Sequence, residues 1–186
     1  MLGGTAALLA STAASAALAT VASAGTPAPA AAATPAATVS ISVSAPLAAD
    51  VLQQVNAVRR AHGLVPLKLS ARLSAAAQQH SEEMGEDGYF EHDSADGSAF
   101  WKRIDRFYTD KGYGYWSVGE NLLWASPDID GPGALDLWMH SPEHRKNLLT
   151  ARWREIGVSA VKVHAAPGTY HGLDVTIVTT DFGVRR

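Results

Sequence analysis

The 186-residue sequence contains no cysteine, which excludes disulfide bonds, thiolate metal sites and a cysteine nucleophile. It also has no excess of basic side chains, since 15 Lys and Arg stand against 18 Asp and Glu. A nucleic-acid partner is therefore not expected. The metalloprotease pattern H-E-x-x-H is absent, and so is a recognisable serine-nucleophile motif. The remaining composition is that of an ordinary globular protein, and the length is typical of one domain.

Charge is almost missing from the N-terminal third, where Asp50 is the only ionisable side chain before Arg59. Residues 6–21 form an apolar, alanine-rich run that is followed by Ala22-Ser23-Ala24, a pattern that suits signal peptidase. We therefore predict a secretory signal peptide over residues 1–24 and a secreted, extracellular protein. The basic n-region of such a signal is missing, so either the chain starts further upstream or the signal is a poor one. The run is short and rich in Ala and Thr, so we expect no transmembrane segment in the mature chain.

The next segment, residues 25–47, is rich in Ala, Pro, Thr and Ser and offers little to bury. Such a composition predicts an extended linker, partly in the polyproline II conformation. Charged and aromatic residues become frequent from about Ala48 onward. We therefore predict a single globular domain over residues 48–186, which is long enough to bury a sizeable core.

Hydrophobic periodicity within this domain predicts both helices and strands. The predicted helices begin near Asp50, Ser70, Phe100 and Gly133, and a fifth begins at Pro142 with Ser141 as its N-cap. The predicted strands cover residues 118–124, 155–163 and 173–183. Helices dominate the first part and two antiparallel strands close the chain. This order predicts an α+β domain with helices packed on an antiparallel sheet.

The stretch "WMHSPEHRKNLL" contains His140 and His144, four residues apart. On one continuous helix this spacing would let both imidazoles bind the same metal ion. Pro142 separates them, however, because the residue before a proline is forced out of the helical conformation. A local two-histidine zinc site is therefore not expected. His144 falls in the first turn of the new helix, where the helix dipole disfavours a proton on the ring.

Two other residues stand out as unexplained by packing alone. His92 lies in the loop "YFEHDSADGS" and is neither part of an apolar stripe nor a turn former. Glu120 lies beside an apolar strand, where burial would require a partner for its charge. His80, by contrast, lies on the apolar face of the second helix and is predicted to be a packed core histidine. Nothing in the spacing of His92, Glu120 and His144 requires them to meet.

Five segments together resemble the bacterial, secreted SCP-like members of the CAP superfamily, which also contains cysteine-rich secretory proteins, antigen 5 and plant pathogenesis-related proteins. The segments are "YFEHDS", "GENLLW", "LWMHSPEHRKNLL", "REIGVSAV" and "VTTDFG", in this order. The resemblance covers nearly the whole predicted domain. It implies a three-layer α-β-α sandwich with a central antiparallel sheet and a shallow cleft.

The resemblance also implies that His92, Glu120 and His144 converge in that cleft. It further implies that His92 and His144 bind a divalent cation, for which zinc is the expected ion, and that Asn121 fixes the turn bearing Glu120. At two positions the sequence differs from the family pattern. Ser141 occupies the position of a second glutamate in animal and fungal members, and Thr180-Asp181 replaces the more usual Gln-Asn or Gln-Asp.

Three functions remain open at this stage. The first is a secreted, monomeric binding module whose cleft holds a cation and a small apolar or lipid-like ligand or a cell-envelope component. The second is a metal-dependent extracellular peptidase or esterase with Glu120 as general base. The third is a vestigial cleft in a domain that acts through its surface loops. Five aromatic residues could line a ligand groove, although their spacing favours the core for most of them: Trp101, Tyr113, Tyr115, Trp116 and Trp124.

Overall fold

The computed structural model describes residues 38–186, which form five strands, five helices and one 3₁₀ turn. In chain order they are β1 (Ser40–Val43), α1 (Ala45–Ala61), β2 (Lys68–Leu69), α2 (Ala71–Asp87), α3 (Phe100–Phe107), β3 (Trp116–Ala125), α4 (Gly131–His140), α5 (Pro142–Leu148), β4 (Glu155–Ala166), the 3₁₀ turn (Gly168–Tyr170) and β5 (Leu173–Arg185). Within residues 38–186, none of the helices combines the length and hydrophobicity needed to cross a bilayer.

The strands form one sheet in the order β1, β4, β5, β3, and each is antiparallel to its neighbour. The two residues of β2 extend the sheet at the start of β4, where they pair in parallel with Glu155 and Ile156. The long strands β4 and β5 occupy the centre. β3 lies at one edge of the sheet and pairs with β5 along its whole length.

Side chains alternate between the two faces of the sheet and create two apolar interfaces. Val158 and Ala160 of β4 are buried in a cluster with residues of α1 and α4. Val161 and Val163 of the same strand are buried in a second cluster with Met84 of α2. Helix α3 packs against α2 in the same layer. The predicted α+β class and the three-layer α-β-α arrangement are therefore confirmed.

The predicted linker over residues 25–47 is wrong at its C-terminal end. Ser40–Val43 form β1, which pairs with residues 161–164 of β4 and is thus part of the sheet. Helix α1 then begins at Ala45, because Pro46 fits the first turn of a helix, where its missing N–H is not needed. The remainder of that linker before residue 38 and the predicted signal peptide lie outside the described residues.

The observed start of α1 also differs from the predicted one. The first helix is predicted to begin near Asp50, but Asp50 lies inside α1, and its carboxylate accepts a hydrogen bond of 3.0 Å from the backbone N–H of Gly131. The carboxylate therefore ties α1 to the start of α4. Gly85 lies within α2, and Gly88, with φ of 72°, ends it. The left-handed conformation at Gly88 is the one that glycine adopts at little cost.

Close packing of α2 on β4 depends on Gly157. A Cβ atom at this position would lie 2.1 Å from the carbonyl carbon of Leu73 and 2.2 Å from the backbone nitrogen of Ser74. Both atoms belong to the helix backbone and cannot move aside as a flexible side chain could. The helix and the strand can therefore approach this closely because residue 157 has no side chain.

We expect Gly157→Ala to lower the free energy of unfolding by about 1–3 kcal/mol, because the added methyl group forces α2 away from the sheet. Urea unfolding followed by circular dichroism measures this loss. Gly114→Ala is the matched control, since the nearest atom to its new Cβ lies at an ordinary 3.9 Å. Equal stability of the two variants would contradict the contact.

Candidate functional site

The candidate site is built around β3, the edge strand, whose successive side chains point to opposite faces of the sheet. Glu120 points toward the layer of α2 and α3, where it meets Arg103 of α3. Asn121 points toward α5 and meets Asn147. Residues from both helical layers can therefore approach the same edge of the sheet.

Glu120 is buried, and two partners compensate its charge. Its Oε2 forms an ion pair with Nη2 of the fully buried Arg103, and its Oε1 is hydrogen-bonded to Nδ1 of His92 at 2.8 Å. Burial alone would raise the pKa of Glu120, but the hydrogen bond from His92 and the positive charge of Arg103 lower it overall. Glu120 is therefore ionised, and both of its oxygens are engaged.

Asp181 of β5 lies directly across from Glu120 in the β3–β5 pairing. It is fully buried, and within residues 38–186 neither of its side-chain oxygens accepts a hydrogen bond from a donor. Burial, followed by the negative charge of Glu120, raises the pKa of Asp181 well above its usual value. Of the two carboxyl groups, Asp181 is therefore the one that holds its proton more strongly, and Glu120 is the one that ionises first.

His92 lies in the loop between α2 and α3, and its side chain is about half exposed. The hydrogen bond to Glu120 raises the pKa of His92, while burial opposes this shift. The ring also packs near Phe100, with a distance of 6.2 Å between ring centroids. Because Nδ1 is used by Glu120, Nε2 is the ring nitrogen left without a partner among the described residues.

Helix α5, which carries His144, is attached to β3 by amide side chains. Asn121 donates from Nδ2 to the backbone oxygen of His144 at 3.1 Å. Asn147 donates from Nδ2 to Oδ1 of Asn121 at 3.0 Å and to the backbone oxygen of Glu120 at 3.1 Å. The resemblance implies that Asn121 fixes a turn bearing Glu120. Glu120 lies in strand β3 instead, and Asn121 fixes α5 to this strand.

The ring of His144 is held by its own helix start. Its Nδ1 lies 2.8 Å from the hydroxyl oxygen of Ser141, and that hydroxyl makes no capping bond to the backbone. Burial, followed by the charge of His92, lowers the pKa of His144. The lowered pKa of His144 agrees with the prediction from sequence. Its main cause, however, is burial and not the helix dipole that was expected.

A cavity of about 490 Å³ brings His92, Glu120 and His144 together at the edge of the sheet. We call it the histidine cleft. Its other walls are mostly polar or charged and are formed by Asn121, Pro142, Glu143, Lys146, Asn147, Thr150 and Arg152. His92, Glu120 and His144 thus line one cavity, with His92 supplied by the loop between α2 and α3 and His144 by α5.

Other residues singled out in the sequence lie elsewhere. His140 is exposed at the end of α4, where its Nδ1 lies 2.9 Å from the backbone oxygen of Asp136. His80 is fully buried and hydrogen-bonded to the backbone oxygen of Glu91, as expected for a core histidine. The aromatic prediction is wrong for three of its five residues, which are exposed: Trp101, Tyr113 and Tyr115. None of the five lines the histidine cleft as described within residues 38–186.

Two buried charged residues of the site, Arg103 and Asp181, are not among the predicted site residues. Arg103 lies between Phe100 and Phe107 on the buried face of α3, and a charge on an apolar stripe indicates a buried partner. Asp181 interrupts the apolar strand β5 in the same way. Both signals were present in the sequence, but the identity of the partner depends on tertiary pairing.

The cleft offers a metal ion two imidazoles. Within residues 38–186, no group of three or more His, Cys, Asp or Glu side chains is placed to hold one ion. His92 and His144 each have Nδ1 hydrogen-bonded to an oxygen and Nε2 free of described partners. Imidazoles that bind metals are usually oriented by a bond at the other ring nitrogen. The carboxylate of Glu120 also fixes the tautomer of His92, whereas the hydroxyl of Ser141 orients the ring of His144 in either tautomer. The donor set therefore fits a site with two protein ligands and open positions.

The fold and the cleft define an α-β-α sandwich with a polar histidine–glutamate cleft at its edge strand. The model of the Cysteine-rich secretory protein family, CAP, matches residues 52–178, and the chain belongs to this family. It is 32% identical over 112 residues to the uncharacterized protein YkwD of Bacillus subtilis, which covers 60% of this chain and 41% of that one. It is also 32% identical over 97 residues to the human Golgi-associated plant pathogenesis-related protein 1, which covers 52% of each chain.

Solved structures agree with this assignment. An extracellular SCP-domain protein of Bacillus anthracis superimposes with a TM-score of 0.58 and 28% identity, over 76% of this chain and 41% of that chain. An outer surface protein of Borrelia burgdorferi shares the fold, with a TM-score of 0.56 and 20% identity over 73% and 90% of the two chains. The chain spans about half or less of the length of the curated relatives it matches.

We expect Arg103→Ala to lower the free energy of unfolding by about 3–5 kcal/mol, because it leaves the charge of Glu120 buried without its cationic partner. Arg106→Ala is the matched control on the exposed side of the same helix and should change stability by less than about 0.5 kcal/mol. Chemical denaturation of both variants measures the difference. If Arg103→Ala lowered the free energy of unfolding no more than Arg106→Ala does, the ion pair would not support the fold.

In metal-free protein, we expect the pKa of His92 to lie above and that of His144 below the ordinary histidine value of about 6.5. Because its folded-state pKa is raised, His92 stabilises the fold below its unfolded pKa and loses this contribution as pH rises through the folded pKa. Glu120→Gln should lower the pKa of His92, since it removes the carboxylate that raises it. NMR titration of the imidazole protons measures both values, and an unchanged pKa of His92 in this variant would contradict the pairing.

Proposed function

We propose that this chain is a secreted CAP-domain protein whose histidine cleft binds a divalent cation through His92 and His144, with zinc as the expected ion. The observation that carries the proposal is the hydrogen bonding of the two rings. Each Nδ1 is held by an oxygen, from Glu120 or from Ser141, so each ring has a fixed orientation and one nitrogen to offer. A cation held there would supply charge and open coordination positions for a second ligand.

The composition of the cleft favours a polar ligand beside that cation. Glu143, Lys146 and Arg152 line the walls together with amide side chains, and no aromatic side chain among the described residues contributes. Pockets that hold apolar molecules are lined mainly by hydrophobic and aromatic side chains. Of the ligands considered from the sequence, a polar component of the cell envelope therefore suits this cleft better than a lipid.

Two features of Glu120 argue against the metal-dependent hydrolase. A general base needs a free oxygen within reach of a water molecule and a pKa near the working pH. Both oxygens of Glu120 are engaged by Arg103 and His92, and those partners lower the pKa of Glu120 overall, despite its burial. We therefore assign Glu120 the role of positioning and charging His92.

Secretion is part of the proposal and rests on two kinds of support. The alanine-rich run and the Ala22-Ser23-Ala24 pattern have the features of a signal peptide. Among proteins of the same fold, one is described as extracellular and another as an outer surface protein.

Calorimetric titration of chelator-treated protein with Zn²⁺ tests the cation site. We expect one binding event, which His92→Ala and His144→Ala each weaken by about tenfold or more, and which Glu120→Gln weakens by about tenfold through its effect on His92. His140→Ala is the matched control, because this exposed histidine lies outside the cleft. The site would be refuted if His92→Ala and His144→Ala left zinc affinity unchanged, or if His140→Ala lowered it as much as they do.

A further inference from the structure

Basic side chains are concentrated in one short segment, residues 144–154. It carries Arg145, Lys146, Arg152 and Arg154 and no acidic residue, although the chain as a whole has a formal net charge of −3. All four side chains belong to exposed residues, and within residues 38–186 none of them forms an ion pair. Such a local excess of one sign creates a positive potential that attracts anions.

A fifth positive charge lies beneath this segment. Arg59 of α1 is fully buried and donates from Nη1 to the backbone oxygens of Leu148 at 2.7 Å and Thr150 at 3.1 Å. Its Nη2 has no hydrogen-bond partner, and no carboxylate among the described residues pairs with it. Burial, followed by the positive charge of Arg154, lowers the pKa of Arg59. A buried charge requires compensation, and at this position the protein itself supplies only neutral oxygens.

The basic side chains line two adjoining cavities. Lys146 and Arg152 line the histidine cleft, whereas Arg145 and Lys146 line a cavity of about 360 Å³ between α4 and α5. Pro142 and Lys146 belong to the walls of both. We call the two cavities together the basic groove. Because the groove is concave, an extended chain can enter it, whereas the flat surface of a bilayer cannot.

Carboxylates in the walls do not cancel this positive charge. Within residues 38–186, the histidine cleft is lined by two acidic residues, Glu120 and Glu143, and Glu120 is already paired with Arg103. The second cavity has no acidic residue in its described walls. Positive charge is therefore in excess along the whole basic groove. Arginine matches this role, since its guanidinium group presents two parallel N–H donors to the oxygens of a phosphate or a carboxylate.

We infer that the basic groove binds a linear polyanion whose spaced oxyanions contact Arg152 in the histidine cleft, then Lys146, and then Arg145 in the second cavity. Phosphate diesters and carboxylates share the required chemistry, because both present paired oxygens with a negative charge. The inference names the class of the polar ligand and to that extent rests on the proposed function. The cationic side chains nevertheless bind the polyanion without the metal ion, so the two ideas can fail separately.

Fluorescence anisotropy of labelled linear polyphosphate, with EDTA present to remove metal ions, tests the basic groove. We expect saturable binding that weakens as NaCl is added, since the charges are exposed. Arg145→Gln, Lys146→Gln and Arg152→Gln should each weaken binding by about threefold to fivefold, as for one exposed ion pair, and the triple variant by at least about twentyfold. Inorganic phosphate should compete at least about tenfold more weakly than the polymer, because its charges are not linked.

A charge-matched variant separates the basic groove from general attraction to a polyanion. Arg72→Gln, Lys102→Gln and Lys111→Gln together remove the same net charge from exposed residues that line neither cavity. This triple variant should change polyphosphate affinity by less than about twofold. A loss equal to that of the groove variant, or the absence of saturable polyphosphate and polyglutamate binding, would overturn the inference.

Two further measurements identify the source of the oxyanion and separate the cation site. Polyglutamate of equal charge compares carboxylates with phosphates, and groove-dependent binding of either polymer supports the inference. Sedimentation with phosphatidylglycerol vesicles tests a membrane, and vesicle binding without polymer binding would overturn the inference. Arg145→Gln should leave zinc affinity within about twofold, since Arg145 lies outside the histidine cleft. Joint loss of zinc and polyphosphate binding in this variant would indicate a damaged fold and would also contradict the groove.

Discussion

A carboxylate removed from water must find compensating charge and hydrogen bonds, and Glu120 satisfies this requirement with groups from two other segments. Arg103 comes from α3 and His92 from the loop before it, while Asp181 lies opposite Glu120 on β5. Arg103 and His92 are thereby placed within hydrogen-bonding distance of one point on the edge strand. The orientation of His92, and with it the geometry of the cleft, follows from the burial of one negative charge.

The side of the cleft that carries His144 is held in place by neutral amide side chains. Asn121 and Asn147 connect α5 to β3 through hydrogen bonds to backbone oxygens and to each other. These bonds carry no net charge, so they hold His144 in place without altering the electrostatic balance around Glu120. Strand β3 is thus attached to α3 by an ion pair and to α5 by amide hydrogen bonds. Because these two kinds of attachment respond differently to pH and salt, the two histidines are secured independently.

The fold was largely predictable, because hydrophobic periodicity identifies helices and strands and their order along the chain identifies the α+β class. The three site residues came from motif resemblance, since their sequence spacing alone carries no information about their meeting. What could not be predicted depends on tertiary pairing. The partnership of Glu120 with Asp181 follows from the β3–β5 register, and the role of Asp50 as an anchor for α4 follows from helix packing. The exposure of Tyr113 and Tyr115 likewise reflects where a loop lies on the finished surface.

The adjacency of Glu120 and Asn121 limits where this chain can gain or lose a residue. A strand presents alternate residues to opposite faces, so one inserted or deleted residue ahead of this pair would exchange their directions. The amide would then face Arg103, and the carboxylate would face the amides of α5. The loops that flank β3 can gain or lose residues without such an exchange. In this chain, an added or removed residue is therefore compatible with the cleft only in those loops, and β3 itself requires a fixed number of residues.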